Sequence, residues 1–287
     1  MTSMKNPHSA SFRQRFCRNK GAVLGLVVML LVVAMALLGP LVDGNSPWDM
    51  VQQPFLRPLQ EAGFALGTDT MGRDILAGVI HGARVSLLIG FVSTVASLLI
   101  GVTLGAVAGY FGGWIDAALM RFTELFQAVP NFALALVLVA IFQPSILSIV
   151  AAIAVVSWPP VARLVRSEFL TLRQRDFVAA AQLAGQSTSR IIIGQILPNA
   201  ISPIIVMASL MIATAILLES SLSFMGLGDP NYMSWGYMVG AARTVLRQAW
   251  WMAVFPGVAI LLTVLALNMV GEGLNDALNT RLRGKGR

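Results

Sequence analysis

The chain has 287 residues, of which 56% are hydrophobic and only 11% charged. Soluble domains carry about 25% charged residues, so the composition excludes a soluble domain of this size, a disordered chain, a nucleic-acid-binding domain and a disulfide scaffold, and is that of a polytopic membrane protein. The net charge of +7 requires no nucleic-acid partner, because basic residues also set membrane topology. Cys17 is the single cysteine, so no intrachain disulfide forms. His8 and His81 are too widely separated to make a metal cluster by themselves.

A membrane span needs about 20 apolar residues, since each rises 1.5 Å across a hydrocarbon layer of roughly 30 Å. Six stretches qualify or nearly so: Gly21–Val42, Val85–Tyr110, Ala128–Phe142, Ile146–Val165, Ala200–Phe224 and Trp251–Gly271. The third is short unless it borrows residues from the segment before it. That segment, Gly112 to Gln127, holds Asp116, Arg121 and Glu124 among apolar residues and reads as an interfacial helix leading into Pro130. Two sizeable loops, Asp43 to Arg84 and Met225 to Trp250, lie on one side, and a polar loop from Arg166 to Asn199 lies on the other.

Six spans place both termini on one side. Fifteen of the twenty basic residues share that side, among them Lys5, Arg13, Arg15, Arg18, Lys20, Arg163, Arg173, Arg175, Arg190 and the tail from Arg281 to Arg287. The bias predicts cytoplasmic termini. The first apolar run is about 22 residues, longer than the 7–15 of a signal-peptide core, and is expected to be an uncleaved anchor.

Several features invite a role. Gly101, Gly105 and Gly109 form a stripe along one helix face, which suits a tight bundle centre, a subunit interface or ordinary helix packing. Trp158-Pro159-Pro160 predicts a kink in the fourth span. Glu219 lies within the fifth span beside Ser220, Ser221 and Ser223; Asn268 lies in the sixth, with Glu272 near its end. A carboxylate in lipid is expensive, so Glu219 either lines a path for a polar or cationic solute or makes a structural hydrogen bond to a neighbouring helix. No phosphate-binding loop, HExxH or GxSxG motif occurs. Any ATP used must be hydrolysed by another chain.

Two segments carry a family signature. The external one is Leu66-Gly67-Thr68-Asp69-Thr70-Met71-Gly72-Arg73-Asp74, followed by Gly82-Ala83-Arg84-Val85-Ser86-Leu87. The cytoplasmic one is Ala179-Ala180-Ala181-Gln182-Leu183-Ala184-Gly185, continuing to Ile196-Leu197-Pro198-Asn199. With Glu219 to Gly228, Phe255-Pro256-Gly257 and Gly271 to Leu278, these make the chain resemble the C-type permease of bacterial dipeptide, oligopeptide and nickel ABC importers. The likeness covers nearly everything after the first 15 or so residues.

Independently of the family, a short helix of small side chains offers a low-relief surface for a partner groove. Gly185 permits a sharp turn after it, Pro198 restarts a helix at the membrane, and Arg173, Arg175, Asp176 and Arg190 form a charged rim. The resemblance implies that Ala179, Ala180, Ala181, Gly185 and Pro198 belong to a coupling segment seated in an ATPase cleft. The family pattern often opens with Glu where Ala179 stands, which removes any salt bridge from that position. In the external motif Gly67 and Gly72 allow tight turns, while Asp69, Arg73 and Asp74, next to Thr68, pair with each other or with backbone. The resemblance makes this motif a scaffold near the docking face of a substrate-binding protein.

The expected architecture is an all-α membrane protein of six transmembrane helices with the type I ABC importer permease fold. It comprises a cytoplasmic interfacial segment over 1–20, a first span over 21–42, a periplasmic loop over 43–83, an importer domain over 84–273 with its coupling loop at 166–199, and a cytoplasmic tail over 274–287. The implied partners are a homologous second permease, two ATPases that bind the ATP and Mg, a periplasmic solute-binding protein and membrane lipid, with no nucleic acid, no metal and no cofactor in this chain. The implied activity is import of short peptides across the bacterial inner membrane by a non-enzymatic subunit. Nickel, metal chelates, glutathione and opine-like solutes remain alternatives, and a self-sufficient channel or secondary carrier is the rival class, supported by Glu219 alone.

Overall fold

The structure is a computed structural model and describes residues 12–43 and 46–278. Within these, the regular elements are helices: α1 (Phe12–Arg18), α2 (Lys20–Asp43), α3 (Ile75–Phe111), α4 (Gly113–Gln127), α5 (Asn131–Phe142), α6 (Ile146–Leu172), α7 (Asp176–Leu183), α8 (Thr188–Ile191), α9 (Leu197–Leu222), α10 (Trp235–Ala242) and α11 (Trp251–Leu278). Two π-helical turns, Ile192–Ile196 and Ser223–Leu227, extend α9 at its two ends. The expected tail at 274–287 is described only to residue 278, and the segment at 1–20 only from residue 12.

Five helical runs are long and apolar enough to cross a membrane: α2, α3, α6, α9 with its extensions, and α11. The third expected span is a bent pair, α4 and α5, meeting at 79°. Twelve residues of α5 rise only about 18 Å, so α5 cannot cross alone. Pro130 makes the corner, with an extended backbone (φ −55°, ψ 128°) that no helix continues through.

Three boundaries differ from the sequence reading. Helix α3 starts at Ile75, ten residues before Val85. His81, Gly82 and Arg84 interrupt the apolar run, but Asp74 caps the helix by accepting from the Leu76 N–H at 2.9 Å, and Ile75, Ala77, Val79 and Ala83 are buried. Helix α11 continues past Gly271 to Leu278 because Ala277 and Leu274 pack on Phe16 and Ala22. The stretch from Met225 to Trp250 is no simple loop. It contains α10, capped by Ser234 and pinned by the fully buried Trp235, whose indole N–H donates to the Val79 carbonyl at 2.8 Å. We call the end with residues 46–74 and α10 the upper end, and the end with α1 and α7 the lower.

Helix α6 continues through Trp158-Pro159-Pro160, where a kink is expected, and runs from Ile146 to Leu172. Neighbouring helices make prolines tolerable in a span, and here Trp158 is enclosed, stacked on Phe122 (5.9 Å between centroids) and met edge-on by Phe126 (5.3 Å).

The glycine stripe packs inside the subunit. A Cβ at Gly101 would lie 2.8 Å from the Trp158 carbonyl oxygen, and one at Gly109 would lie 2.6 Å from Phe169 Cβ. At Gly105 it would strike the Ala162 carbonyl, which is backbone and cannot swing away. Gly25 does the same for α2 against α11, where a Cβ would meet the Ala266 carbonyl at 2.8 Å. Gly105→Leu should therefore cost about 1–3 kcal/mol or more and lower the yield of monodisperse protein on fluorescence-detected size exclusion. Gly194→Ala, with nothing within 4 Å of the added atom, should leave that yield unchanged.

Candidate functional site

The upper motif is a backbone clamp. Thr68 is fully buried; its hydroxyl donates to the Gln53 carbonyl at 2.8 Å and accepts from the Leu56 N–H at 2.9 Å. Its carbonyl accepts the Trp251 indole N–H at 3.1 Å, tying the motif to α11. Asp69 turns its carboxylate onto the N–H groups of Met71 (2.7 Å) and Arg73 (2.9 Å). Gly67 and Gly72 take φ of 78° and 79°; a side chain at Gly72 would collide with the Gln52 carbonyl. Arg73 lies over the Trp48 ring at 4.7 Å. Asp69 thus serves backbone, Asp74 caps α3, and Arg73 engages an aromatic face. These bonds hold the motif together.

Where α9 meets α10, the structure places Glu219 inside the subunit, at 1% exposure. One carboxylate oxygen accepts from the Ser223 hydroxyl at 2.8 Å and the Ser234 hydroxyl at 2.7 Å; the other accepts from Ser220 at 3.4 Å. Gly236 closes over it: a Cβ there would sit 2.9 Å from both oxygens. Of the two expected roles of Glu219, this geometry displays the structural hydrogen bond to a neighbouring helix, with the side chain enclosed by hydroxyls. Ser234 carries two tasks, donating to Glu219 and accepting from the Tyr237 N–H at 2.9 Å to cap α10. Asn268 is exposed on the outer face of α11. The structure does not bring it and Glu219 to a common cavity among the described residues.

At the lower end, α6 leads through three residues into α7. Val178 and Ala181 are buried against a cluster that includes Val165, Phe169, Ile191 and Ile196. Ala181 thus faces inward, a correction to its placement on the docking surface: the 3.6-residue period puts it beside Val178. Ala179 and Ala180 are exposed, and Leu183 is 90% exposed, an apolar side chain the sequence reading passed over. Gly185 follows with φ 73°, and its N–H donates to the Gln182 carbonyl at 3.0 Å. Asp176 in the first turn of α7 suits the positive end of the helix dipole.

Arg173 is exposed, as expected for the charged rim, and its guanidinium also donates to the Tyr110 carbonyl at the end of α3. One expectation changes here. Pro198 does not restart a helix, because the helical run already begins at Thr188. A proline N–H is missing from the ladder, and the π turn just before it absorbs the defect: the Leu197 N–H reaches back to the Ile192 carbonyl, and the Asn199 amide donates to Gln195 O at 2.6 Å. Arg166 on α6 and Asp116 on α4 form a salt bridge, with Nη2 to Oδ2 at 2.6 Å, which holds the bent pair to the helix that leads into α7. Spacing alone gave no sign of this pair, whose members are 50 residues apart.

Comparisons with known proteins agree with this arrangement. Residues 101–284 match the family described as binding-protein-dependent transport system inner membrane component, and residues 9–59 match the N-terminal TM domain of oligopeptide transport permease C. The chain is 43% identical over 278 residues to the di/tripeptide transport system permease protein DppC of Pseudomonas aeruginosa (strain UCBPP-PA14), covering 95% of this chain and 92% of that one. It is 39% identical to the dipeptide transport system permease protein DppC of Alkalihalophilus pseudofirmus, over 97% and 91% of the two chains. Among solved structures, the MetNI methionine ABC transporter in inward-facing conformations matches with a TM-score of 0.59 at 15% identity, over 69% of this chain and 94% of that one. An amino acid ABC transporter solved with histidines matches at 0.54, likewise at 15% identity, over 70% and 94%; both likenesses bear on the fold. From the family match and the relatives, the chain belongs to the binding-protein-dependent inner membrane components, the multi-pass permease subunits of ABC importers, which are not themselves catalytic.

Proposed function

We propose that this chain forms half of a path that carries short peptides inward, paired with a homologous permease and driven by two cytoplasmic ATPases. The single observation that carries the reading is α7: a short helix anchored by Val178 and Ala181 that leaves Ala179, Ala180 and Leu183 uncovered. An uncovered leucine beside two alanines suits a partner cleft, since an apolar side chain gains roughly 1.5–3 kcal/mol on burial. The peptide assignment draws on relatives whose names specify dipeptide transport. ATP and Mg2+ belong to the ATPases, and a binding protein on the far side delivers solute to the upper end. ATP-driven closure of the ATPases moves the α7 helices together and opens the path outward, the energy entering as a difference in stability between two states.

In this reading the termini are cytoplasmic and the clamp at residues 66–74 is external, where it serves as a rigid footing for the binding protein. Thr70→Cys and Asn231→Cys, each in a Cys17→Ser background, should react with an impermeant maleimide from outside intact cells or spheroplasts. Labelling of Thr70→Cys only after lysis would reverse the topology.

Leu183→Asp should leave subunit yield at wild-type level, because the side chain touches solvent alone, but should reduce co-purification of the ATPases and uptake together by about tenfold or more. Gly185→Arg should behave likewise, its own strain at positive φ costing about 1 kcal/mol. Normal ATPase recovery with either variant would place the coupling surface elsewhere.

We infer further that Glu219 is a joint between α9 and α10. Glu219→Gln retains an acceptor for Ser223 and Ser234 and should assemble nearly as wild type. Glu219→Leu strands two buried hydroxyls, at about 1–3 kcal/mol each, and should lower the amount of assembled complex on size exclusion. Normal assembly of Glu219→Leu with lost transport would instead restore the path role.

A further inference from the structure

We propose that Arg243 and the glycine-walled cavity beside it receive a carboxylate of the solute at the upper mouth of the path. The inference rests on the peptide reading above. The π turn at the top of α9 reverses at Gly226, with φ 87°. Between this turn and α10 lies a cavity of about 370 Å3, lined by Ser223, Gly226, Gly228, Tyr237, Gly240 and Arg243 among others. That size lies within the range of about 300–1,000 Å3 for small-molecule sites. Three glycines leave its walls bare of side chains, so an entering group meets backbone and hydroxyls.

Arg243 is the one charged residue among those lining the cavity. Its Nη1 donates to the Phe224 carbonyl at 3.1 Å, and the same atom stands 3.8 Å from where a Cβ on Gly226 would lie. A guanidinium carries five N–H donors in a fork that suits a carboxylate, and this hydrogen bond occupies one. Both acids near the cavity in sequence are engaged elsewhere. Asp229 accepts from the Ile146 N–H at 2.9 Å and from the Asn231 N–H at 2.9 Å and side-chain amide at 3.2 Å. Glu219 is enclosed by Ser223 and Ser234.

A second cavity, about 530 Å3, is built from the adjoining residues of the same turn and helix. Phe132, Leu217, Ser220, Ser221, Phe224 and Val239 line it, and it contains no charged side chain. The two differ in chemistry, the first offering a cation and the second a wall of hydroxyl and apolar groups. A free carboxylate with apolar substituents fits that pair of surfaces, whereas a bare cation meets repulsion at the first.

The test uses the whole importer, with both permeases, both ATPases and the binding protein, reconstituted in liposomes. Wild type, Arg243→Gln and Arg243→Lys are compared for uptake of radiolabelled alanyl-phenylalanine, for ATPase stimulation by the loaded binding protein, and for assembled complex. Glutamine removes the charge and keeps an amide donor on a shorter side chain, and lysine keeps the charge without the fork. Arg243→Gln should cut uptake about tenfold with assembly and ATPase stimulation within about twofold of wild type, and Arg243→Lys should restore most of the uptake. Uptake by Arg243→Gln equal to wild type overturns the proposal. So does a fall in uptake matched by a fall in assembly, which would make Arg243 a cap of α9 only. A wild-type importer that carries no dipeptide overturns the peptide reading and this inference with it.

Discussion

Helix α6 lies against α3 at a separation that only glycine permits, and both ends of the molecule are organised around that contact. In lipid there is no water to expel, so helices are held by close packing and by hydrogen bonds. Gly101, Gly105 and Gly109 let the α3 backbone approach the carbonyls of Trp158, Ala162 and Arg166 directly. The two prolines in α6 lie in the same stretch, and the enclosure that the contact provides is what lets the helix continue through them. The continuous α6 then has fixed ends. Its first N–H, on Ile146, is accepted by Asp229 from the segment before α10; its last turns are tied to α4 by Arg166 and to the end of α3 by Arg173.

The same helix therefore connects the two functional ends. Above, Asp229 links α6 to the segment that leads into α10, and α10 is joined to α9 through Ser234 and Glu219. Below, α6 runs directly into α7, whose buried side is packed on the cluster around Phe169. A displacement imposed on α7 has a covalent and hydrogen-bonded route to the upper rim through α6 and Asp229. Glu219 fits this scheme as a fastening. A buried acidic side chain is costly, and the cost is offset by the hydroxyls of Ser223 and Ser234 at 2.7–2.8 Å. Contacts from α9 and from the residue that caps α10 meet on this one side chain, which suits a joint between the two helices.

The sequence displayed the spans, the amphipathic segment before Pro130 and the two family motifs, because hydropathy and local spacing report them directly. The first ten residues of α3 were hidden: their buried face packs on methionines and aromatics contributed by residues 233–252, which no local window contains. Helix α10 was hidden for the same reason, its anchor Trp235 bonding to Val79 and Ser86, some 150 residues away in sequence. The stripe of glycines was visible, yet its partner was not, since packing inside a subunit and packing between subunits leave one signature. For α7 the period of a helix was enough to separate Ala181 from Ala180, but only the position of α8 and Phe169 shows which of the two faces is covered.

The two ends also differ in how they are completed. The upper clamp closes on itself: Thr68 is saturated by Gln53, Leu56 and Trp251, and Asp69 by the N–H groups of its own turn. A surface built this way takes its shape from bonds within the chain. The lower end is left open. Leu183, at 90% exposure, projects from α7 into solvent, and Gly185 follows the helix with no atom within 4 Å of a Cβ placed there. An apolar side chain held out on a rigid stem gains its stabilisation only when another surface covers it. The chain thus completes its own upper surface and leaves an apolar group uncovered at the lower one.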